Sequence, residues 1–356
     1  MNIKKTINKS NTACPFGNFF TLSLECADGF SVSVCSAGAS ILQILCPFPD
    51  GSLQNIALSF SDPDEYFGNP LYAGATLAPC AGRISRGQLP VHGHVYELTR
   101  NENGIHTLHG GASNGSFMNW ALLLEECSDS QARIVFGCTL PDGLDGFPGN
   151  RTLKASYTLT EDHRLTVEYE GLSDRDTWFN ISNHSYFNLT GNFQRSAYDH
   201  ELLIPADRYI CNGPDFIPTG TASAENSPFD FRQKKSLADQ SATYQEDAQL
   251  AGNQGYNHGF IFPDGADDSQ PKLVCTAPGS PVTLTVFSDA PCMVLYSGGY
   301  IPDGLQLSGG QKSCPSCALA FEFQDYPDAP GGHGFPYTVS SAGETWKRKI
   351  SYQFSY

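Results

Sequence analysis

A carboxylate stands within a hydrophobic run near the end of the chain, and a carboxylate in such a place can move protons. Residues 317–324 alternate as a β-strand does, with Leu319, Phe321 and Phe323 on one face. The opposite face carries small or polar residues, which are Ala318, Ala320, Glu322 and Gln324. A charge inside a hydrophobic strand is costly unless something pairs with it, so Glu322 is predicted to be a general base. The alternative is a glutamate on an edge strand that faces water.

A histidine ends a second segment with the same kind of alternation. Residues 178–184 place Phe179 and Ile181 on one side and a polar stripe on the other, formed by Asn180, Ser182 and His184. Histidine gives or takes a proton near neutral pH, because its ordinary pKa is about 6.5. Glu322 and His184 are therefore predicted to be a base and an acid on the floor of a β-sandwich. The alternative for His184 is a hydrogen-bonded structural histidine.

Two further polar residues are candidates for contact with a ligand. Arg83 lies between apolar neighbours, and His109 opens a turn with two glycines. An arginine fork can donate to several hydroxyl groups at once, and glycine lets the backbone approach a ligand closely. Asp142 and Asp145 could be mistaken for the carboxylate pair of a glycosidase, but their Gly and Pro neighbours favour a structural loop.

Composition narrows the class of protein. The chain has 356 residues with a net charge of -16, which argues against nucleic acid or an anionic membrane as partner. Charged residues make up 16%, and there are 35 Gly and 23 Pro, a balance typical of a turn-rich β protein. No stretch is apolar for long enough to span a bilayer, and no apolar segment follows the two early lysines. A soluble, cytoplasmic protein is predicted.

Alternating runs predict an all-β fold, one large β-sandwich with few short helices. The runs that predict strands are 20–24, 31–34, 152–159, 165–169, 282–287, 317–323 and 349–354. Helical periodicity is limited to 62–66 and 237–246, and the stretches 213–239 and 264–280 are predicted to be irregular connections. Residues 1–15 are predicted to be a flexible N-terminal segment, and residues 16–356 a single domain.

The 12 cysteines are scattered and are predicted to be reduced structural thiols. Cys314 and Cys317 form a single CxxC, which without a second pair is weak support for a zinc or redox site. No metal and no cofactor are predicted.

Seven groups of residues resemble, in order, the aldose 1-epimerase (galactose mutarotase) family. They are 74–76 with 81–84, 108–111 with Trp120, 142–149, 183–189, 217–220 with 228–232, 255–258, and 322–329. The resemblance extends over nearly the whole chain from about Gly74 onward, and the run NHSYFNL at 183–189 is its most specific part.

The resemblance implies a galactose-mutarotase-like β-sandwich, also called a supersandwich, that interconverts the α and β anomers of a free hexose such as galactose or glucose. It makes His184 the general acid and Glu322 the general base. Arg83 and His109 would contact the sugar, and Tyr186 would line the site. The implied partner is a small free aldose, and the protein is expected to be a monomer, with a dimer as the alternative.

Three positions depart from the family pattern. Asn257 stands where the family commonly has an aspartate that bonds a sugar hydroxyl, and asparagine can still accept a hydrogen bond but without a charge. Gly82 replaces an asparagine beside Arg83, and Val294 replaces a glutamine. Asn257 and Gly82 are kept as substrate contacts, and an altered sugar preference is expected.

Three other classes of function stay open. A non-catalytic sugar-binding or sugar-sensing protein could use the same fold, although retention of both His184 and Glu322 argues against it. An epimerase of phosphorylated sugars should gather several basic groups, of which the matched positions offer Arg83 alone. A glycoside hydrolase needs two carboxylates flanking the scissile bond, and Glu322 is the one that lies on a predicted floor.

Overall fold

The computed structural model describes residues 1–8, 19–244, 246–263, 265 and 267–356. Thirteen strands cover the first part of this range. They are β1 (Asn2–Asn8), β2 (Phe19–Glu25), β3 (Ser31–Cys35), β4 (Ser40–Pro47), β5 (Leu53–Asn55), β6 (Thr76–Leu77), β7 (Arg83–Ile84), β8 (Gln88–Val91), β9 (His94–Glu97), β10 (Thr107–Leu108), β11 (Ala121–Cys127), β12 (Gln131–Leu140) and β13 (Arg151–Thr160).

Strands also dominate the second part, with two short helices among them. The strands are β14 (Arg164–Ser173), β15 (Ser182–Asn183), β16 (Tyr186–Phe187), β17 (Glu201–Leu203), β18 (Arg208–Asn212), β19 (Pro218–Ser223), β20 (Lys235–Ser236), β21 (Asn257–Ile261), β22 (Leu273–Thr276), β23 (Thr283–Ser288), β24 (Cys292–Tyr296), β25 (Leu319–Gln324) and β26 (Trp346–Ser355). The helices are α1 (Leu237–Thr243) and α2 (Ala248–Gly252). A 3-10 helix at Pro63–Phe67 matches the helical periodicity predicted at 62–66.

Three antiparallel sheets form the body of the molecule. The largest has nine strands in the order β11-β12-β13-β14-β26-β23-β22-β17-β20. A six-stranded sheet runs β16-β25-β24-β21-β18-β19, and a five-stranded sheet runs β1 to β5 in chain order. The all-β fold with few short helices is therefore confirmed, and the seven runs predicted as strands coincide with or overlap strands β2, β3, β13, β14, β23, β25 and β26.

The six-stranded sheet packs one face against the nine-stranded sheet. Phe187 on β16 stands between the two, with its ring 5.9 Å from Phe321 on β25 and 5.7 Å from Tyr352 on β26. Leu319 and Phe323 lie in the same buried core. Because β25 is flanked by β16 and β24, it is an interior strand, and the edge-strand alternative for Glu322 is wrong. The outer face of the six-stranded sheet is left to form a floor.

Two expectations about local structure are wrong. The segment 178–184 is not one strand, since only Ser182–Asn183 pairs in a ladder, with β6. Its backbone instead makes isolated hydrogen bonds to residues of the segment 74–81. The polar and the apolar side chains of 178–184 are both buried, so their alternation does not indicate which face is the core. The stretches 213–239 and 264–280 also contain the strands β19, β20 and β22, which are short and poor in β-branched alternation.

The predicted N-terminal segment is described in part. Residues 2–8 form β1, paired with β2, whereas 9–15 lie outside the described residues. Flexibility of residues 1–15 and the single-domain boundary stay predictions. Eleven cysteines within the described part are free thiols, Cys314 and Cys317 among them. Among the described residues, no helix has the length and apolar character to cross a membrane.

Candidate active site

A cleft of about 420 Å³ opens on the outer face of the six-stranded sheet. Strands β16, β25, β24 and β21 supply its floor, and loops between other strands form its walls. All seven residues predicted for the site line this cleft: Gly82, Arg83, His109, His184, Tyr186, Asn257 and Glu322. The structure thus brings together residues that are up to 240 positions apart in the sequence, from Gly82 to Glu322. Their roles stay predictions.

Glu322 projects from β25 into the cleft and is 4% exposed. Its Oε1 lies 3.6 Å from Nε2 of His184. Burial raises the pKa of the Glu322 carboxyl to about 8, and the positive charge of Arg83 opposes this in part. The carboxyl group is thus held near the pH at which it can both take and return a proton.

His184 follows β15 and is held by its backbone on both sides. Its N–H donates to the carbonyl of Ala75, and its carbonyl accepts from the N–H of Gly74. Burial lowers the pKa of the His184 imidazole to about 4. Burial disfavours charge on both Glu322 and His184. The two side chains therefore share one proton in the free protein, and that proton is on Glu322 at neutral pH.

His109 is fixed with one nitrogen available to a ligand. The backbone N–H of Gly82 donates to its Nδ1 over 3.1 Å, so Nδ1 is the acceptor and Nε2 carries the hydrogen of the neutral ring. Burial, with the nearby His184 and Arg83, lowers the pKa of His109 well below its usual value. The His109 and His184 rings lie 5.5 Å apart at 88°. His109 is thus a neutral hydrogen-bond donor beside Glu322 and His184.

Arg83 is held by a carboxylate that the sequence analysis did not select. Its Nε and Nη2 donate to the two oxygens of Glu102 over 2.7 and 2.6 Å. Its guanidinium also lies 4.6 Å from the ring of Phe216. Nη1 makes no hydrogen bond to a described residue, so this nitrogen remains for a ligand.

Tyr186 and Asn257 flank the pair at different depths. The Tyr186 ring centre is 4.9 Å from that of His184, and its hydroxyl donates to the carbonyl of Leu71 over 3.2 Å. The side-chain amide of Asn257 makes no hydrogen bond within the described part of the chain. Val294 lies directly beside Glu322 in the ladder of β24 and β25, so it adds an apolar patch to the floor.

His109, His184 and Glu322 also have the spacing of a metal site. One ligand atom from each of His109, His184 and Glu322 lies within 4.8 Å of the others. The arrangement could therefore hold a divalent ion as well as move protons, and the metal-free expectation stays a prediction.

Several residues that line the cleft were missed by the sequence analysis. They are Tyr72, Glu102, Phe216, Tyr300 and Gln324. Gln324 could have been selected, because it lies two positions after Glu322 on the same strand face. Glu102 and Phe216 carry no such signal, since both lie in irregular loops and reach Arg83 only through the tertiary fold.

The fold and the site together define a β-sandwich protein whose cleft brings a buried carboxyl group and a buried imidazole side by side. The chain belongs to the aldose 1-epimerase family, a family of isomerases, because the family model "Aldose 1-epimerase" matches residues 21–353.

Similar proteins cover almost the whole chain. An aldose 1-epimerase of Haemophilus influenzae is 31% identical over 87% of both chains. A galactose mutarotase of Mus musculus is 28% identical over 92% of both. The crystal structure of a galactose 1-epimerase from Lactobacillus acidophilus NCFM has a TM-score of 0.84 at 27% identity and 99% coverage of both chains. The galactose-mutarotase-like fold and the family that the sequence resembles are thus both confirmed.

Proposed function

We propose that this protein interconverts the α and β anomers of a free hexose, with galactose or glucose as the substrate. The observation that carries the proposal is the pairing of Glu322 and His184 on the cleft floor, with Oε1 and Nε2 3.6 Å apart. Family membership supports the same reaction.

The chemistry requires one proton to leave the sugar and one to reach it. The Glu322 carboxylate takes the proton of the C1 hydroxyl, while the His184 imidazolium gives its proton to the ring oxygen. The bond between C1 and the ring oxygen breaks, and O1 becomes the carbonyl oxygen of the open-chain aldehyde. Rotation about C1–C2 presents the other face of the carbonyl. As the ring recloses, the roles are exchanged: Glu322 gives its proton back to O1, and His184 takes the proton from the hydroxyl that becomes the ring oxygen again.

The protonation state that starts this reaction is reached by a shift of one proton. In the empty cleft burial favours the neutral pair, with the proton on Glu322. Transfer of that proton to His184 creates the carboxylate and the imidazolium that the reaction needs. The positive charge of Arg83 lowers the pKa of Glu322 and so favours this transfer.

The remaining cleft residues bind and orient the sugar. His109 donates from Nε2, Arg83 donates from Nη1, and Asn257 offers its amide to a hydroxyl group. Tyr186 closes the wall beside His184, and Gly82 brings backbone close to the ring. Val294 offers no hydrogen bond, so a hydroxyl over it is recognised less strongly than one over a polar residue.

The test is polarimetry or one-dimensional NMR of freshly dissolved α-galactose and α-glucose with purified protein. Wild type is expected to speed equilibration of the anomers, and Glu322→Gln and His184→Asn are expected to lose that acceleration. Equilibration at the buffer rate with wild type, for these and other aldoses, would overturn the proposal in favour of a sugar-binding protein. Release of phenol from an aryl glycoside would instead indicate a hydrolase.

A chelator separates proton transfer from metal chemistry at the same three residues. Because Glu322 and His184 supply both proton-transfer groups, the rate is expected to be unchanged after treatment with EDTA and dialysis. A loss of activity that added zinc restores would assign His109, His184 and Glu322 to a metal centre.

Location and assembly belong to the same proposal. The free thiols of the described cysteines are typical of a reducing compartment and support a cytoplasmic enzyme. We propose a monomer that acts on a small aldose without nucleic acid or membrane partners, and sedimentation of the purified protein tests the assembly.

A further inference from the structure

Gln324 is a buried amide that touches the proposed base. It follows Glu322 by two positions on β25, so both side chains leave the same face of the strand. Gln324 is 0% exposed, and its Nε2 donates to Oε2 of Glu322 over 3.4 Å. The other carboxylate oxygen, Oε1, is the one that faces His184. The two oxygens of Glu322 therefore have different partners.

The orientation of the Gln324 amide follows from a backbone donor that cannot be reversed. The N–H of Asp325 donates to Oδ1 of Asn180 over 2.7 Å, which turns Nδ2 of Asn180 the other way. That Nδ2 lies 3.3 Å from Gln324 and 3.4 Å from the carbonyl oxygen of Ala81. Since Nδ2 can only donate, the Gln324 atom facing it is Oε1, and Nε2 must face Glu322.

Gly82 leaves the room that this arrangement needs. A Cβ at position 82 would lie 3.1 Å from Oε1 of Gln324, tighter than an ordinary contact. Gly82 also has φ +70°, a backbone conformation that side chains rarely adopt. The glycine that replaces the family's asparagine is therefore next to the Asn180–Gln324 contact.

We propose that Gln324 is the positioning residue of Glu322: oriented by Asn180, it holds Oε2 of the carboxylate and leaves Oε1 free to take the proton of the C1 hydroxyl and to exchange a proton with His184. This deepens the proposed function and rests on it. A donor at fixed distance stabilises the ionised carboxylate, which is the form that burial disfavours. Gln324 thereby increases the fraction of molecules in which Glu322 is a carboxylate and His184 is an imidazolium.

Among the groups that face Glu322, the pair itself is the part that titrates near neutral pH. The neighbours are His184, His109, Arg83, Tyr186, Tyr296 and Cys292. Burial raises the pKa of Tyr296 to about 12, raises those of Tyr186 and Cys292 above their ordinary values, and lowers that of His109 well below its ordinary value. Arg83 forms an ion pair with Glu102. A change in the Glu322 titration after substitution of Gln324 is therefore assignable to the lost donor.

The experiment compares Gln324→Met with wild type and with Gln240→Met. Methionine keeps the length of the side chain and removes both hydrogen bonds. Gln240 is a matched control, because it is also buried and donates to the backbone carbonyls of Pro228 and Asp230, away from the cleft. The pKa of Glu322 is read from the carboxyl carbon by 13C NMR, with Glu322→Gln to assign the signal.

In Gln324→Met the pKa of Glu322 is expected to rise by about one unit, from about 8. The plateau kcat is expected to fall about tenfold, with KM changed by less than about threefold. Gln240→Met is expected to lower thermal stability without either effect. Gln324→Glu, which places a like charge beside Glu322, is expected to raise the pKa further and replaces Gln324→Met if that variant does not fold.

An unchanged Glu322 pKa in the folded Gln324 variants would overturn the proposal, and so would a loss in KM alone. Absence of turnover in wild type would contradict the proposed function instead. In that case the NMR titration still decides whether Gln324 acts on Glu322.

Discussion

The two faces of β25 are both buried, but one packs into the core and the other forms the floor of the cleft. On the inner face Leu319, Phe321 and Phe323 pack into the core against the nine-stranded sheet. On the outer face Glu322 and Gln324 stand on the cleft floor at 4% and 0% exposure. Burial stabilises the inner face, whereas on the outer face it moves the pKa of Glu322 to about 8.

One strand thus separates stability from reactivity through the alternation of its side chains. The apolar face fixes the register of β25, and the register fixes where the carboxylate points. A buried carboxylate costs free energy, and the cost is tolerated because a fully solvated one would be too weak a base near neutral pH. Substitutions on the two faces should therefore affect different measurements.

The largest expected effect is on the outer face. Glu322→Gln removes the proposed proton acceptor and keeps the shape of the side chain, so kcat for anomer exchange is expected to fall about 10³-fold. NMR exchange spectroscopy with galactose measures the rate. Phe321→Leu is the control, because it changes the other face and should leave kcat within about threefold. A Glu322→Gln variant with more than about a tenth of wild-type activity would contradict the role of the base.

The inner face should respond in the opposite way. Phe321→Ala leaves a cavity beside Phe187, so the free energy of unfolding is expected to fall by about 3–5 kcal/mol. Urea unfolding followed by circular dichroism measures this loss. The fraction that remains folded should keep nearly normal kcat, and a kcat loss as large as that of Glu322→Gln would mean that the two faces are not separable.

The cost of burying Glu322 should be visible as a dependence of stability on pH. Because its folded pKa of about 8 lies above the unfolded value, the native state binds more protons, and wild type loses stability as pH rises between those two values. Glu322→Gln lacks this loss. From about pH 5 to about pH 8 its stability is expected to improve by about 3 kcal/mol relative to wild type.

Urea unfolding of wild type and Glu322→Gln at both pH values measures that change. His184 is present in both proteins, and its lowered pKa affects them alike. A constant difference between the two would show that the carboxylate is ionised in the native state.

The smallest effect is expected at the edge of the floor. The Asn257 amide is proposed to make one hydrogen bond to a sugar hydroxyl, so Asn257→Ala is expected to raise KM for galactose about fivefold to tenfold. Asn257→Asp retains the acceptor and should bind at least as well as wild type. Steady-state kinetics of both variants give the answer, and equal KM values in wild type and both variants would remove Asn257 from the site.

Sequence alone predicted the parts of this comparison that depend on period and motif. Alternation separated Phe321 from Glu322, and the runs 183–189 and 322–329 matched the family at His184 and at Glu322. It misjudged the backbone of 178–184, because polar and apolar residues are buried alike there. Glu102 could not be predicted from the sequence. Its contact with Arg83 depends on the tertiary fold, and no local sequence pattern marks it.

We propose that Glu322 and His184 hold one proton between them and pass it through the sugar. The dependence of kcat on pH tests this most directly, since the singly protonated pair exists between the two pKa values, about 4 and about 8. A plateau of kcat is expected across that interval, with activity lost below it and above it. A rate that keeps increasing well above about pH 8 would contradict the claim.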